Sequence, residues 1–333
     1  MHCCLRVSPG SSPIENDSEI SDEIFSGWAV RLLETPETNG WAEIETHYGY
    51  KGWINIREIR RISAEELRER QDKTRFLCIC ASEADLLDVP KVQGLPMELL
   101  LKNAIVEYLE TTEAEGWCRI RTAAGQEGYL RTKYLRRRPE DDGYLLSDDK
   151  SLPADDDHFP ADDDHFPAAS SEGGSSRVSE RSGNVRTGSY FCERFRNMSM
   201  DEEAFRKAVV ESARTYLGTQ YRWGGKSSQG LDCSGLAFMS YLENGVFIYR
   251  DAKILPEYPV REIDRSRIRP GDLLFFPGHV AVYLGENRYI HSTAYAGTPG
   301  VTINSLDPAD PDYREDLDQK MTGCGTVFVD KAE

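Results

Sequence analysis

Cys233 lies in the stretch Tyr221 to Leu236, YRWGGKSSQGLDCSGL, where a glycine-rich approach runs into Asp-Cys-Ser-Gly at the start of an apolar helical pattern. A cysteine on a first helical turn faces unsatisfied backbone N–H groups and the positive end of the helix dipole. Both favour the thiolate and place its pKa below the ordinary value of about 8.5. That setting suits a nucleophile, although a buried packing cysteine could occupy it equally well. Two histidines downstream tip the balance. His279 stands between Phe275-Phe276-Pro277-Gly278 and Val280-Ala281-Val282, at the entry to an apolar strand, and His291 lies in Tyr289-Ile290-His291-Ser292-Thr293. Their separation of 12 residues is one a hairpin allows. In the order Cys, His, polar orienter, His279 would take the thiol proton of Cys233. His291 would then bond the far ring nitrogen of His279 and fix its tautomer, which is the logic of nucleophilic acyl transfer by a thiol.

The elements that would carry these residues are helices followed by a strand meander. Ser199 and Glu202 form a capping-box pattern, and Phe205, Ala208, Val209, Ser212, Ala213 and Leu217 recur at helical spacing until Gly218. A second helix runs from Cys233 to Glu243 and closes at Asn244-Gly245. Strand-like runs follow at 272–276, 280–284, 289–293, 301–304 and 326–329, so this half of the chain reads as α+β.

The N-terminal half is built differently. Val30 to Ile54, VRLLETPETNGWAEIETHYGYKGWI, returns without a gap as Val106 to Leu130, VEYLETTEAEGWCRIRTAAGQEGYL, with Trp41 on Trp117 and Gly52 on Gly128. Each copy alternates apolar and polar residues between glycine-containing turns, which predicts two small all-β barrels. Between the halves, residues 139–189 lose their aliphatics, fill with Asp, Ser, Gly and Pro, and contain ADDDHFP twice in tandem. The Asp triplets beside His158 and His165 read as a solvated, self-repelling spacer, a disordered acidic linker that tethers the halves without fixing how they dock. It has 13 acidic and 4 basic side chains, so it carries −9 of the formal net charge of −17 and leaves −8 for the rest.

Three motifs, YRWGG…GLDCSGL, RPGDLLFFPGHVAVYLG and YIHST, resemble those of the NlpC-type cysteine peptidases over about residues 195–330. The repeated GW…G…GWI pattern resembles bacterial SH3 domains over residues 3–62 and 78–137. The resemblance implies a multidomain chain, two small all-β SH3-like barrels plus an α+β papain-like catalytic domain. Cys233 would be nucleophile, His279 base and His291 orienter, with Tyr221 and the Cys233 N–H holding the oxyanion. Two SH3 domains ahead of such a domain resemble the γ-D-glutamyl-L-diamino acid endopeptidases, which act on free murein peptides with an unblocked N-terminal L-alanine. There the first SH3 domain closes one end of the cleft, and a buried ammonium needs acidic and hydroxyl partners. By motif these would be Tyr50, Asp251, Asp232 and Ser234, with Glu19 of the first barrel as a further candidate and Trp223 as a further substrate-binding residue. Asp232 also reads as a helix cap, Tyr50 as a packed turn aromatic, and Asp251 as a partner of Arg250. Ala252 stands where that subgroup often has a small hydroxyl residue.

The expected partner is therefore a murein peptide, with no cofactor and no metal. The acidic balance argues against general nucleic-acid or membrane-surface binding. The sequence as given shows no apolar signal segment, and its eight cysteines form no paired framework, which points to the cytoplasm and a recycling role. The competing expectations are a secreted wall hydrolase that uses its SH3 domains to grip peptidoglycan, and a catalytically dead binding protein. Nothing in the composition assigns an oligomeric state.

Overall fold

The structure, a computed structural model, describes residues 2–12, 14–15, 17–140, 142–146 and 190–328; the tandem ADDDHFP heptads lie outside the described residues. The first barrel is a five-stranded antiparallel sheet of His2–Arg6, Ile20–Phe25, Val30–Leu32, Trp41–Thr46 and Lys51–Asn55. The second is a seven-stranded sheet whose central strands are Ile105–Thr111, Trp117–Arg121 and Glu127–Arg131. The sequence repeat survives as register, because Ile44 faces Gly52 in one barrel and Ile120 faces Gly128 in the other. A Cβ at Gly52 would come within 3.2 Å of the Arg6 carbonyl, and one at Gly128 within 2.7 Å of the Leu87 carbonyl. The repeated glycine thus marks a close crossing of strands.

In the C-terminal unit a helix, Glu202–Arg214, and the helix Cys233–Leu242 pack on a six-stranded antiparallel sheet. The sheet order is Arg261–Ile263, Gly323–Thr326, Leu273–Phe276, His279–Gly285, Arg288–Thr293, Gly300–Ser305. Alternation sends Leu273, Phe275, Val280 and Val282 to the helices and Leu274, Phe276, Ala281 and Tyr283 to the opposite core. The first helix is capped by Asp201, whose Oδ1 accepts from the Ala204 N–H at 2.7 Å, and not by the expected Ser199.

The second barrel keeps a core of its own, whereas the first shares one with the C-terminal unit. Tyr48 packs on Phe238 at 4.7 Å between ring centroids, and His47 on Phe247 at 5.8 Å. Burying Phe238 or Phe247 is worth about 1.5–3 kcal/mol each, and the first barrel contributes to covering both, so its contact belongs to the hydrophobic core. The linker also starts later than expected. Glu140, Asp142 and Tyr144 are buried, and Gly143–Leu146 is a helical turn. Asp142 accepts from Arg138 at 3.2 Å and from Arg70 at 3.3 Å, and Tyr144 lies 5.2 Å from Tyr190 between ring centroids. Tyr190 opens a helix, Tyr190–Asn197, whose Phe191 stacks on Tyr258 at 4.7 Å. Composition hid this packing because a few buried groups are held among many polar ones. The chain leaves and returns at the same place.

Candidate active site

The helix Cys233–Leu242 is buried along its whole length, in keeping with its lack of charged residues. Asp232 is its N-cap: Oδ1 accepts from the Gly235 N–H at 2.5 Å and Oδ2 from the Gly224 N–H at 2.9 Å. A side chain at 235 would collide with the Gly225 carbonyl, so the Gly-rich approach and the DCSG turn close on each other. Cys233 is the first helical residue, and its sulfur is reached by the N–H groups of Val280 and Ser234. Its thiol is nevertheless pushed up to about 11, first by burial and then by the Asp232 carboxylate. The expected lowering fails because desolvation and an adjacent anion outweigh the helix terminus.

His279 and His291 meet as the hairpin predicts. Val282 faces Ile290 across the strands, and Glu286 and Asn287 turn the chain with positive φ of 52° and 58°. The two histidines are therefore diagonal neighbours on one face, and His279 Nε2 lies 2.7 Å from His291 Nδ1. His291 is fully buried and passes its other nitrogen, Nε2, to Asn304 Oδ1 at 2.9 Å. Asn304 lies on the next strand, where Thr302 faces His291, and its Nδ2 donates to the Asp312 carbonyl at 2.9 Å. His279 is held down to about 4, by burial and then by the Arg314 cation. His291 is held down to about 3, by burial and then by His279. Both rings are neutral at pH 7. Tyr221, bridged to Leu231, stays protonated because burial, and then the proximity of Cys233 and Asp232, push its phenol up to about 12. It can therefore donate.

Of the remaining candidates, Tyr50 and Asp251 come together across the domain interface, Tyr50 Oη donating to Asp251 Oδ1 at 3.2 Å. Asp251, Ser234 and Tyr249 line one small cavity over Leu273, Phe275 and Val280, with Ala237, Ile248, Lys253 and Val260 completing its wall. Arg250 does not pair with Asp251. It is buried and gives Nε to Asp22 Oδ1 at 2.7 Å, Nη1 to Asp232 Oδ1 at 3.1 Å and to Ser234 Oγ at 2.8 Å. Trp223 is 59% exposed beside Gly224, which packs on Ile20 of the first barrel. Glu19 is exposed, and its side chain makes no hydrogen bond among the described residues. The acids that meet the C-terminal unit are its neighbours Asp22 and Glu23, which bind Lys226, Arg250 and Arg222. Their reach follows from strand register, which the sequence around Glu19 does not disclose.

A model of the NlpC/P60 family matches residues 218–310. Over 313 residues the chain is 33% identical to dipeptidyl-peptidase 6 of Lysinibacillus sphaericus, a match that covers 93% of each protein. The chain belongs to the NlpC/P60 family. It is a cysteine peptidase, with SH3-like barrels ahead of its NlpC/P60 domain. A γ-D-glutamyl-L-lysine dipeptidyl-peptidase of Bacillus cereus is 34% identical over 92 residues, 25% of this chain and 27% of that protein. The crystal structure of an NlpC/P60 family protein from Bacillus cereus ATCC 10987 superposes with a TM-score of 0.61 at 18% identity, covering 97% of this chain and 96% of that one. The whole three-domain fold is therefore shared, barrels included.

Sequence reasoning missed Asn304, Asp22, Glu23 and Lys226, and named Arg250 only as a partner of Asp251. Asn304 had one signal: it ends a strand-like run of the same half that carries His291. The interface pairs of the other four had none, and neither did the hold of Arg250 on Asp232 and Ser234.

Proposed function

We propose that this NlpC/P60 peptidase hydrolyses the bond from γ-D-glutamate to an L-diamino acid in murein peptides whose N-terminal L-alanine amine is free, in the recycling of wall peptides. Cys233 is the nucleophile, His279 the base and His291 its orienter. The observation that carries the substrate reading is the Tyr50 to Asp251 hydrogen bond of 3.2 Å. It joins a barrel residue to a catalytic-domain carboxylate beside Ser234, the neighbour of the nucleophile, and so supports a closed pocket for an ammonium two residues from the scissile bond. The name of the Bacillus cereus relative, a γ-D-glutamyl-L-lysine dipeptidyl-peptidase, supports the bond type.

Thiol and imidazole both rest uncharged, so His279 acts as a general base during attack. The Cys233 S–H proton passes to His279 Nδ1 as sulfur bonds to the γ-carbonyl carbon. The oxyanion is held by Tyr221 Oη–H and the Cys233 N–H. His279 then gives its proton to the departing amine as the C–N bond breaks, and water attacks the thioester by the reverse relay.

The test uses L-Ala-γ-D-Glu-meso-diaminopimelate, its N-acetylated form and intact sacculi, with products followed by mass spectrometry. Cleavage of the free peptide alone is expected. Equal rates on the acetylated peptide or on sacculi would overturn the amine pocket, and no product from any of the three would overturn the bond assignment.

A further inference from the structure

Asn304 closes a chain of hydrogen bonds that can be protonated in one way only. Its Nδ2 donates to the backbone carbonyl of Asp312 at 2.9 Å, and a carbonyl only accepts, so the amide cannot be flipped. Oδ1 is then the atom facing His291 Nε2 at 2.9 Å, and His291 has to donate from Nε2. A neutral ring carrying its proton on Nε2 has a bare Nδ1. That Nδ1 lies 2.7 Å from His279 Nε2, so His279 also donates from Nε2 and keeps its own Nδ1 unprotonated. The two links through the histidines run between adjacent strands on one face of the sheet, and the last reaches the Asp312 carbonyl in the following turn, a peptide group that cannot titrate.

We propose that Asn304 is a fourth, positioning member of the site. Its amide fixes both histidines as Nε2–H tautomers and presents a bare His279 Nδ1 to the Cys233 thiol. Because the chain ends in a neutral amide and not a carboxylate, it orients His279 without stabilising its imidazolium, which keeps the base weak and the thiol protonated at rest. The charged groups that face the histidines are Arg314, Asp232 and Asp316, and those that face Cys233 are Asp232 and Arg250. None of them bonds a ring nitrogen of His279 or His291, so among the described residues the amide alone selects the tautomer. This inference rests on the Cys233, His279, His291 assignment above.

The test has a spectroscopic and a kinetic arm, both on the full chain. Long-range proton–nitrogen spectra of the imidazoles at pH 7 are expected to show Nε2–H tautomers for both His279 and His291; an Nδ1–H tautomer at either ring overturns the proposal. Asn304→Leu is expected to lower kcat about tenfold or more, a part of the 10²–10⁴ that positioned acid–base catalysis supplies, with KM little changed. Asn304→Asp keeps the acceptor and adds a charge, so it should recover most of kcat near neutral pH while moving the acidic limb of kcat/KM up by about one unit. A merely structural asparagine would give two variants of lowered melting temperature with the wild-type pH profile, and that result overturns the role. Persistent activity in Cys233→Ala would instead reject the assignment on which it rests.

Discussion

Asp22→Asn tests whether the first barrel is a working part of the catalytic domain. Asp22 is fully buried and touches two cations of the other unit, Lys226 Nζ at 2.8 Å and Arg250 Nε at 2.7 Å, with Tyr48 Oη also bonded to its Oδ2. Burial alone would push its carboxyl up, but the ammonium of Lys226 and the guanidinium of Arg250 outweigh that and hold it below the ordinary range. Lys226 is itself brought down to about 8 by burial, against the pull of Asp22. Removing one partner of a buried pair leaves the other charge uncompensated and costs about 3–5 kcal/mol. Here the stranded charges lie across a domain boundary, so the cost falls on docking, roughly a hundred- to several-thousand-fold in that equilibrium.

Arg250 also grips Asp232 and Ser234 on either side of Cys233, so loss of Asp22 should disturb the Cys233 helix cap as well as the proposed amine pocket. Urea unfolding of Asp22→Asn should therefore show the lost stability, and steady-state kinetics on the free peptide should show KM raised and kcat lowered. Asp22→Asn combined with Lys226→Met restores charge balance, since Arg250 keeps Asp232, and should regain most of the stability, as buried pairs replaced by apolar groups commonly do. A single variant within 1 kcal/mol of wild type, with unchanged KM, would mean that the pair is effectively solvated and would refute the coupling.

Cys233→Ala should abolish turnover without lowering the melting temperature, measured by peptide release and calorimetry. Tyr50→Phe removes the donor to Asp251 and should narrow the preference for free over acetylated peptide several-fold in kcat/KM while changing kcat little. Because His279 and His291 are held down to about 4 and about 3 from an unfolded value of 6.5, the unfolded chain binds more protons below that value. Stability should therefore fall as pH drops from about 6.5 towards 4, by up to about 1.4 kcal/mol per pH unit for each histidine, and urea midpoints of His291→Gln should show a shallower fall.

How far the sequence could be read depended on how local each feature is. His279 and His291 were legible because strand alternation and a hairpin turn fall within about 20 residues of chain, and the diagonal step that joins them needs no information from elsewhere. The barrels were legible for the same reason: a repeated Trp, Gly and period-two pattern dictates register, down to Gly52 and Gly128 facing equivalent isoleucines. The pKa of Cys233 was read with the wrong sign because the helix terminus is local, whereas the burial that outweighs it, and outweighs the N–H groups of Val280 and Ser234 as well, exists only once the chain is folded. Asp22 illustrates the limit most sharply. In ISDEIF it is one of two adjacent acids on an ordinary strand, and only the docked barrel turns it into the counter-ion of an arginine that holds the cap of the Cys233 helix. Activity and selectivity cannot be assigned to separate halves of the chain, because the helix cap, the proposed amine pocket and the barrel hang on the same buried guanidinium.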